Sequence, residues 1–289
     1  RSLACELAEH VDAATPDFVG SVSLPARVNG AAERTRQLLG VSLEVQKSWR
    51  STYDPLNCWK EAIERAGVLV FHFSHVDVGE VRAFSIVDRP FPVISMNGGD
   101  SPNGRVFSLF HEFAHLLLGH GGTCDFRERE GARGADQAVE VFCNSVAGAT
   151  LVPPDDIGLQ AGVEEASSRT EWSTDQLAAL AKLYGVSSQV ILRRLLTIGR
   201  TNRAFYRARQ DELVKLGKER QRGREGFLTV PQRVIRAVGQ PFLRIVLNAY
   251  HREAITSSDL AEYIGARLKH LPTIEGRMLG PNLLTGSDM

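Results

Sequence analysis

FSLFHEFAHLLLGH, residues 107–120, is the stretch on which the fold of this chain turns. His111 and His115 stand four positions apart. On an α-helix four residues turn through about 400°, so both imidazoles project from one side, a turn apart, where they can close on one ion. Glu112 follows the first histidine and is turned to reach water beside that pair rather than the ion itself. Phe110, Phe113, Ala114, Leu116 and Leu117 make the rest of the helix apolar, which places it in a core. Two imidazoles and a carboxylate buried there without a partner would cost several kcal/mol, and a metal removes that cost. Paired neutral imidazoles suit Zn²⁺, with Mn²⁺ as the other candidate.

A third ligand must come from elsewhere. The metzincin pattern requires a third histidine at the tenth position after the first and a glycine at the seventh. Here those positions hold Gly121 and Leu118. His120 is one position off and reads as a histidine at a helix C-terminus. Glu140, in QAVEVFCNSVAGATLVP (137–153), is a lone carboxylate on an otherwise apolar helical surface and is the preferred third ligand. Asp136, one turn earlier, is the alternative. Cys124 and Cys143 are softer ligands without supporting spacing.

Upstream, VLVFHF (68–73), EVRAFSIV (80–87) and FPVISM (91–96) are rich in β-branched and aromatic residues and end at Gly79, Pro90 and NGGDSPNG. They read as strands of a small antiparallel or mixed sheet. FPVISM is the candidate edge along which an extended substrate would add. Before them come a helical region from Ala31 to Trp49, broken near Gly40, and a helix opened by Pro55 and closed by Gly67. The helix carrying the histidines is expected over about 105–118, and the one carrying Glu140 over about 137–151, stopped by Pro153 and Pro154.

Downstream, LAALAKLYGVSSQVILRRL (177–195) has the spacing of a helix-turn-helix, with Ala181, Gly185 as the turn, and Ile191. Ser188, Gln189 and Arg193 would be its DNA or partner contacts. Arg194 stands where that pattern wants an apolar residue, so a helical hairpin packed on the preceding domain is the favoured reading. Residues 200–224 hold 9 Lys and Arg against 3 acids, a basic helix running into a flexible tail. Residues 230–270 are apolar and periodic, with a period that does not separate helix from mixed α/β.

The net charge is zero, but residues 1–199 sum to −7 and residues 200–289 to +7. Nucleic acid or an acidic partner surface is one use for that basic third; a solvated helix is the other. No run approaches the roughly 18 apolar residues of a membrane helix, and acids interrupt the N-terminal apolar run, unlike a secretion signal. Four scattered cysteines without a CxxC pair fit a reducing compartment. A cytoplasmic protein with no membrane role is expected.

VISMNGGDSPNGRVFSLFHEFAHLLLGH (93–120), followed by Glu140, Asn144 and Ala147 and then LVP at 151–153, resembles the ImmA/IrrE family of metallopeptidases, most of all its IrrE type. The likeness is good over about 30–200 and loose beyond. It implies an α+β protein in three parts. A zincin-like peptidase domain spans 1–155, a helix-turn-helix-like segment 156–200, and a C-terminal GAF-like α/β sensor 201–289 that would take a small-molecule signal. It also implies a cytoplasmic bacterial enzyme that cleaves a helix-turn-helix transcriptional repressor and releases DNA-damage or stress genes. The family often has another acid just before Asn144; here Phe142 and Cys143 stand there, leaving Glu140 as the only carboxylate of the motif. The competing expectation is a DNA-binding regulator whose metal site is structural or vestigial.

Overall fold

The structure, a computed structural model, describes residues 16–87, 90–121, 123–124, 134–160, 162–164, 171–221 and 228–278. Most of the polar loop 122–136 therefore lies outside the described residues, as does the end of the basic run at 222–224.

Helices α1 (Val28–Leu39) and α2 (Leu43–Ser48) are divided at Gly40, where the sequence places the break. Helix α3 (Asp54–Arg65) carries Pro55 in its first turn. The sheet follows, with β1 (Leu69–Phe73), β2 (Ala83–Ile86), β3 (Val93–Asn97) and the two-residue β4 (Thr123–Cys124), in the order β1-β3-β2-β4. β1 is parallel to β3, whereas β2 is antiparallel to β3 and β4, so the sheet is mixed. One expectation is corrected here. The strand within FPVISM is β3, paired on both sides and buried along its whole length, so it has no free edge for a substrate. Its Pro92 precedes the strand and costs no ladder bond; the Pro92 carbonyl accepts from Leu69 N at 2.9 Å.

Helix α4 (Pro102–Leu118) carries the histidines and begins three residues before the sequence expectation. The Ser101 hydroxyl accepts from Gly104 N at 3.0 Å, and Pro102 has no N–H to leave unpaired in the first turn. The helix stops at Gly119, in the left-handed region with φ 69°. Its last carbonyls find donors in the N-terminal segment. Gly20 N and Val22 N bond Leu116 O and Leu117 O at 2.9 Å, and Phe18 stacks on Phe113 at 4.9 Å. Helix α5 (Ala135–Leu151) packs along α4 and α1.

After the short α6 (Pro154–Gly158) come α7 (Thr174–Tyr184), α8 (Ser188–Thr197) and α9 (Arg203–Gln221). Gly185 makes the α7–α8 turn with φ 66°, and a Cβ there would lie 2.5 Å from Pro55 Cγ. The hairpin is thus seated on α3, and only glycine meets both conditions. Arg194, the residue that spoils the helix-turn-helix pattern, is only 3% exposed and donates from Nε to Val152 O at 3.0 Å. A cation at the carbonyl end of α5 answers unpaired acceptors and the helix dipole together. Leu177, Tyr184, Ile191 and Leu195 accordingly share one apolar core with Val70, Leu109, Phe113 and Val146.

The C-terminal region departs from the expected α/β form. Its described residues are helical: α10 (Val230–Val238), α11 (Gln240–His251), α12 (Ser257–Ile264), a 3₁₀ turn at Leu268–His270, and α13 (Leu271–Met278). Pro231 and Pro241 sit at helix starts, and Thr256 and Asp259 cap α12 reciprocally at 2.8 and 3.2 Å. Phe242, Leu243, Val246 and Leu247 give α11 one apolar stripe. These helices cover the second face of the sheet. Leu69 and Val93, with the half-buried Phe71, Ile86 and Phe91, pack against Val234, Phe242, Leu243, Val246, Leu260 and Ile274. The architecture is α+β in three layers, helix–sheet–helix, and among the described residues no helix is long and apolar enough to cross a membrane.

Candidate metal centre

Helices α4 and α5 lie side by side, and each contributes what its period allows. On α4 the four-residue spacing sets His111 and His115 one above the other, with ring centroids 4.9 Å apart. On α5 the same spacing presents Glu140 and Asn144 to them. The two histidine Nε2 atoms are 3.1 Å apart. Glu140 Oε2 is 3.3 Å from His111 Nε2, and Glu140 Oε1 is 3.3 Å from His115 Nε2. Ligands about 2.1 Å from a tetrahedral ion lie roughly 3.4 Å from one another. These three side chains, one ligand atom each within 4.8 Å, therefore fit a zinc-type ion with one coordination position left for substrate or water. Both histidines are buried, and the Glu140 side chain is 38% exposed, which marks the open side of the site.

His111 Nδ1 lies 3.0 Å from Asn144 Oδ1. As that oxygen can only accept, the His111 proton sits on Nδ1 and the Nε2 lone pair is turned toward the centre. The sequence pointed to Asn144 as part of a motif but gave it no task; its offset of four from Glu140 was the available signal. His115 Nδ1 is buried and has no partner among the described residues. Burial works to raise the Glu140 carboxyl, but the closeness of His111 and His115 outweighs it and holds it down to about 2.

Glu112 is fully buried beside these ligands and is not one of them. Burial pushes its carboxyl above the ordinary range, opposed by the fields of His111 and His115 and by the Ser85 hydroxyl on β2. Neither carboxylate oxygen has a partner at full hydrogen-bonding geometry, so Ser85 acts as a nearby dipole more than as a bond. Nothing in the sequence of β2 marked Ser85. It is found only through the strand pairing that turns Ala83 and Ser85 toward α4.

The other candidate ligands are not brought in. Asp136 is exposed and outside the cluster. His120 is exposed beyond the helix stop. Cys143 is buried, and that burial, with Glu140 and Glu112 nearby, raises its thiol far above the usual range, so it stays protonated. The side chain of Cys124 lies outside the described residues. Of the candidate DNA or partner contacts, Ser188 and Gln189 are half-buried at the start of α8. Arg193 is exposed but lies over the Tyr206 ring at 5.5 Å, with Nη1 3.4 Å from its hydroxyl.

Residues 63–196 match the family model Peptidase_M78, described as the IrrE N-terminal-like domain. No curated protein matches the chain. The matched span runs from the end of α3 to α8 and contains all three metal-ligand candidates, and it supports the ImmA/IrrE family and a metallopeptidase of that kind for this part of the chain.

Proposed function

We propose that the chain is a zinc-dependent metalloendopeptidase that cuts a helix-turn-helix transcriptional repressor and so releases stress or DNA-damage genes. The observation that carries the catalytic part is the spacing of His111, His115 and Glu140 at 3.1 to 3.3 Å, with Glu112 buried beside them. The choice of substrate rests on family resemblance alone, and Mn²⁺ remains the second candidate metal.

A zinc ion, when bound, supplies Lewis acidity that brings the pKa of water toward 7 and polarises a scissile carbonyl. The rest falls to the protein. Glu112, raised by burial, is a base strong enough to take a proton from attacking water and then return it to the leaving amine. Asn144 holds the His111 ring in one tautomer and one orientation. The α4–α5 core keeps bulk water from the inner side, leaving approach past Glu140. An extended substrate is best served by the β2 side of the sheet, where, among the described residues, β4 pairs with Ala83 and Phe84.

The test is co-incubation of wild type and Glu112→Gln with the cognate repressor, with and without Zn²⁺ or Mn²⁺, read by intact mass. One metal-dependent cut made only by wild type is expected. No cut by a metal-loaded protein, with the repressor folded, sinks the reading.

A further inference from the structure

The two histidines of the metal centre are not held alike. The His111 ring is fixed through Nδ1, which lies 3.0 Å from Asn144 Oδ1. His115 Nδ1 is buried without a partner among the described residues. His115 also stands in the last turn of α4, which stops at Leu118. Helix ends open most readily, because their final carbonyls lack intrahelical donors. The aim of the His115 ring therefore depends on its backbone, and on whatever keeps that turn closed.

Local bonds close part of it. Gly119 N reaches His115 O and Leu116 O, and His120 N reaches His115 O at 3.1 Å. The remainder comes from the other end of the chain. Gly20 N and Val22 N bond Leu116 O and Leu117 O at 2.9 Å, and among the described residues Leu117 O has no other donor. The segment that brings these donors is itself seated at several points. A Cβ on Gly67, just past α3, would lie 2.9 Å from Pro16 Cγ. Phe18 stacks on Phe113, two residues before His115, with the rings 25° from parallel. A Cβ on Gly119 would meet Gly20 Cα at 3.1 Å, so the two backbones cross in close contact. Val22 is 5% exposed and belongs to the main core.

We propose that Pro16–Val22 is a positioning strap for His115: it sets the affinity for zinc by holding the last turn of α4, as Asn144 does for His111 through the ring. Phe18 is its anchoring side chain. None of these residues touches the metal, and the strap acts only through the helix that presents His115. The inference rests on the metal-centre reading.

The test measures zinc affinity of the full chain by competition with a chelator, beside thermal unfolding and hydrogen exchange of the metal-free protein. Phe18→Ala should weaken zinc by roughly tenfold, the loss typical of removing a group that orients a ligand. Amides of residues 115–118 should exchange at least roughly tenfold faster, while those of the C-terminal helices keep their protection. Phe18→Tyr, which keeps the ring, should restore both. Leu243→Ala, far from the strap, is the control: it should lower Tm and leave zinc affinity unchanged. Should Phe18→Ala fail to fold, Gly20→Ala, which strains the strap at φ 72°, must weaken zinc by at least roughly threefold. Wild-type zinc affinity in Phe18→Ala, or a loss that Leu243→Ala reproduces at matched Tm, overturns the strap and leaves the metal centre standing. Failure of the wild type to take up one zinc per chain removes the metal centre, and the strap's role with it.

Discussion

The two faces of the small sheet bury neighbouring residues of the same strands for different ends. Toward α4, Val70, Ala83, Ile94 and Met96 enter the large core that also holds α5 and the α7–α8 hairpin. Toward the C-terminus, Leu69 and Val93 meet four helices that arrive more than 130 residues later in the chain. The first face carries the candidate metal centre, where two long helices packed side by side hold three candidate ligand atoms within a few tenths of an ångström of tetrahedral spacing. The second holds none of the metal-ligand candidates. It keeps β1, β2 and β3 buried on both sides and so holds the platform under α4 rigid. Catalysis and stability should therefore come apart when each face is mutated separately.

The largest separation is expected from Glu112→Gln. The change should lower the rate of peptide cleavage by roughly 10² to 10⁴-fold through loss of the general base, with zinc stoichiometry and Tm held near wild type. A variant that cleaves normally would remove Glu112 from the chemistry and leave the metal with a structural task.

On the opposite face, Leu243 is fully buried in the C-terminal cluster. Leu243→Ala should cost about 2–5 kcal/mol in denaturant unfolding, from lost transfer energy and the cavity left behind. Zinc per chain should not change. Removal of residues 228–289 is the harsher version. It uncovers Leu69, Phe71, Ile86 and Val93 on one contiguous surface and should give an aggregating protein, as light scattering would report. A well-behaved truncated monomer would mean that the C-terminal helices are a detachable domain and not a layer of the fold.

Asn144→Ala sharpens the comparison within the catalytic face. With the His111 ring no longer held through Nδ1, zinc affinity should fall by roughly 10 to 100-fold, measured by competition with a chelator. Asp136→Asn, one turn before Glu140 and exposed, should leave that affinity unchanged. Equal losses in the two variants would reopen the choice of third ligand.

These contrasts follow the line between what the sequence made legible and what it did not. His111, Glu112 and His115 sit on one uninterrupted helix, so local period alone fixed their geometry. Glu140 could be read because a carboxylate on the apolar helix after the histidines is expensive without a purpose. Strand existence was legible but strand order was not: β3 is the third strand in the chain and lies between the first two, a consequence of long-range pairing that no local pattern encodes. Ser85 was invisible for the same reason. Arg194 read as a defect in a helix-turn-helix because its true acceptor, Val152 O, lies 42 residues earlier. The C-terminal α/β expectation came from resemblance, and an apolar period of uncertain type gave it nothing to resist with; capping at Thr256 and prolines at helix starts were the overlooked local signals.

A last contrast, in pH dependence, tests the seam between the two faces. His72 is held neutral down to about pH 3, mainly by burial and then by neighbouring cations, whereas in the unfolded chain it titrates near 6.5. Between those values the unfolded state binds the extra proton. The contribution of His72 is therefore complete above about pH 6.5 and shrinks as pH falls toward 3, by at most about 1.4 kcal/mol per pH unit. His72 Nδ1 is 2.7 Å from Arg236 O. In His72→Asn the side-chain amide can still donate to Arg236 O but does not titrate. Chemical denaturation of both proteins from pH 7.5 to 4 should show wild type losing stability more steeply than the variant, beginning near pH 6.5. Parallel curves would mean that the ring accepts a proton in the folded state, and hence that the cations around it are better neutralised than their packing indicates.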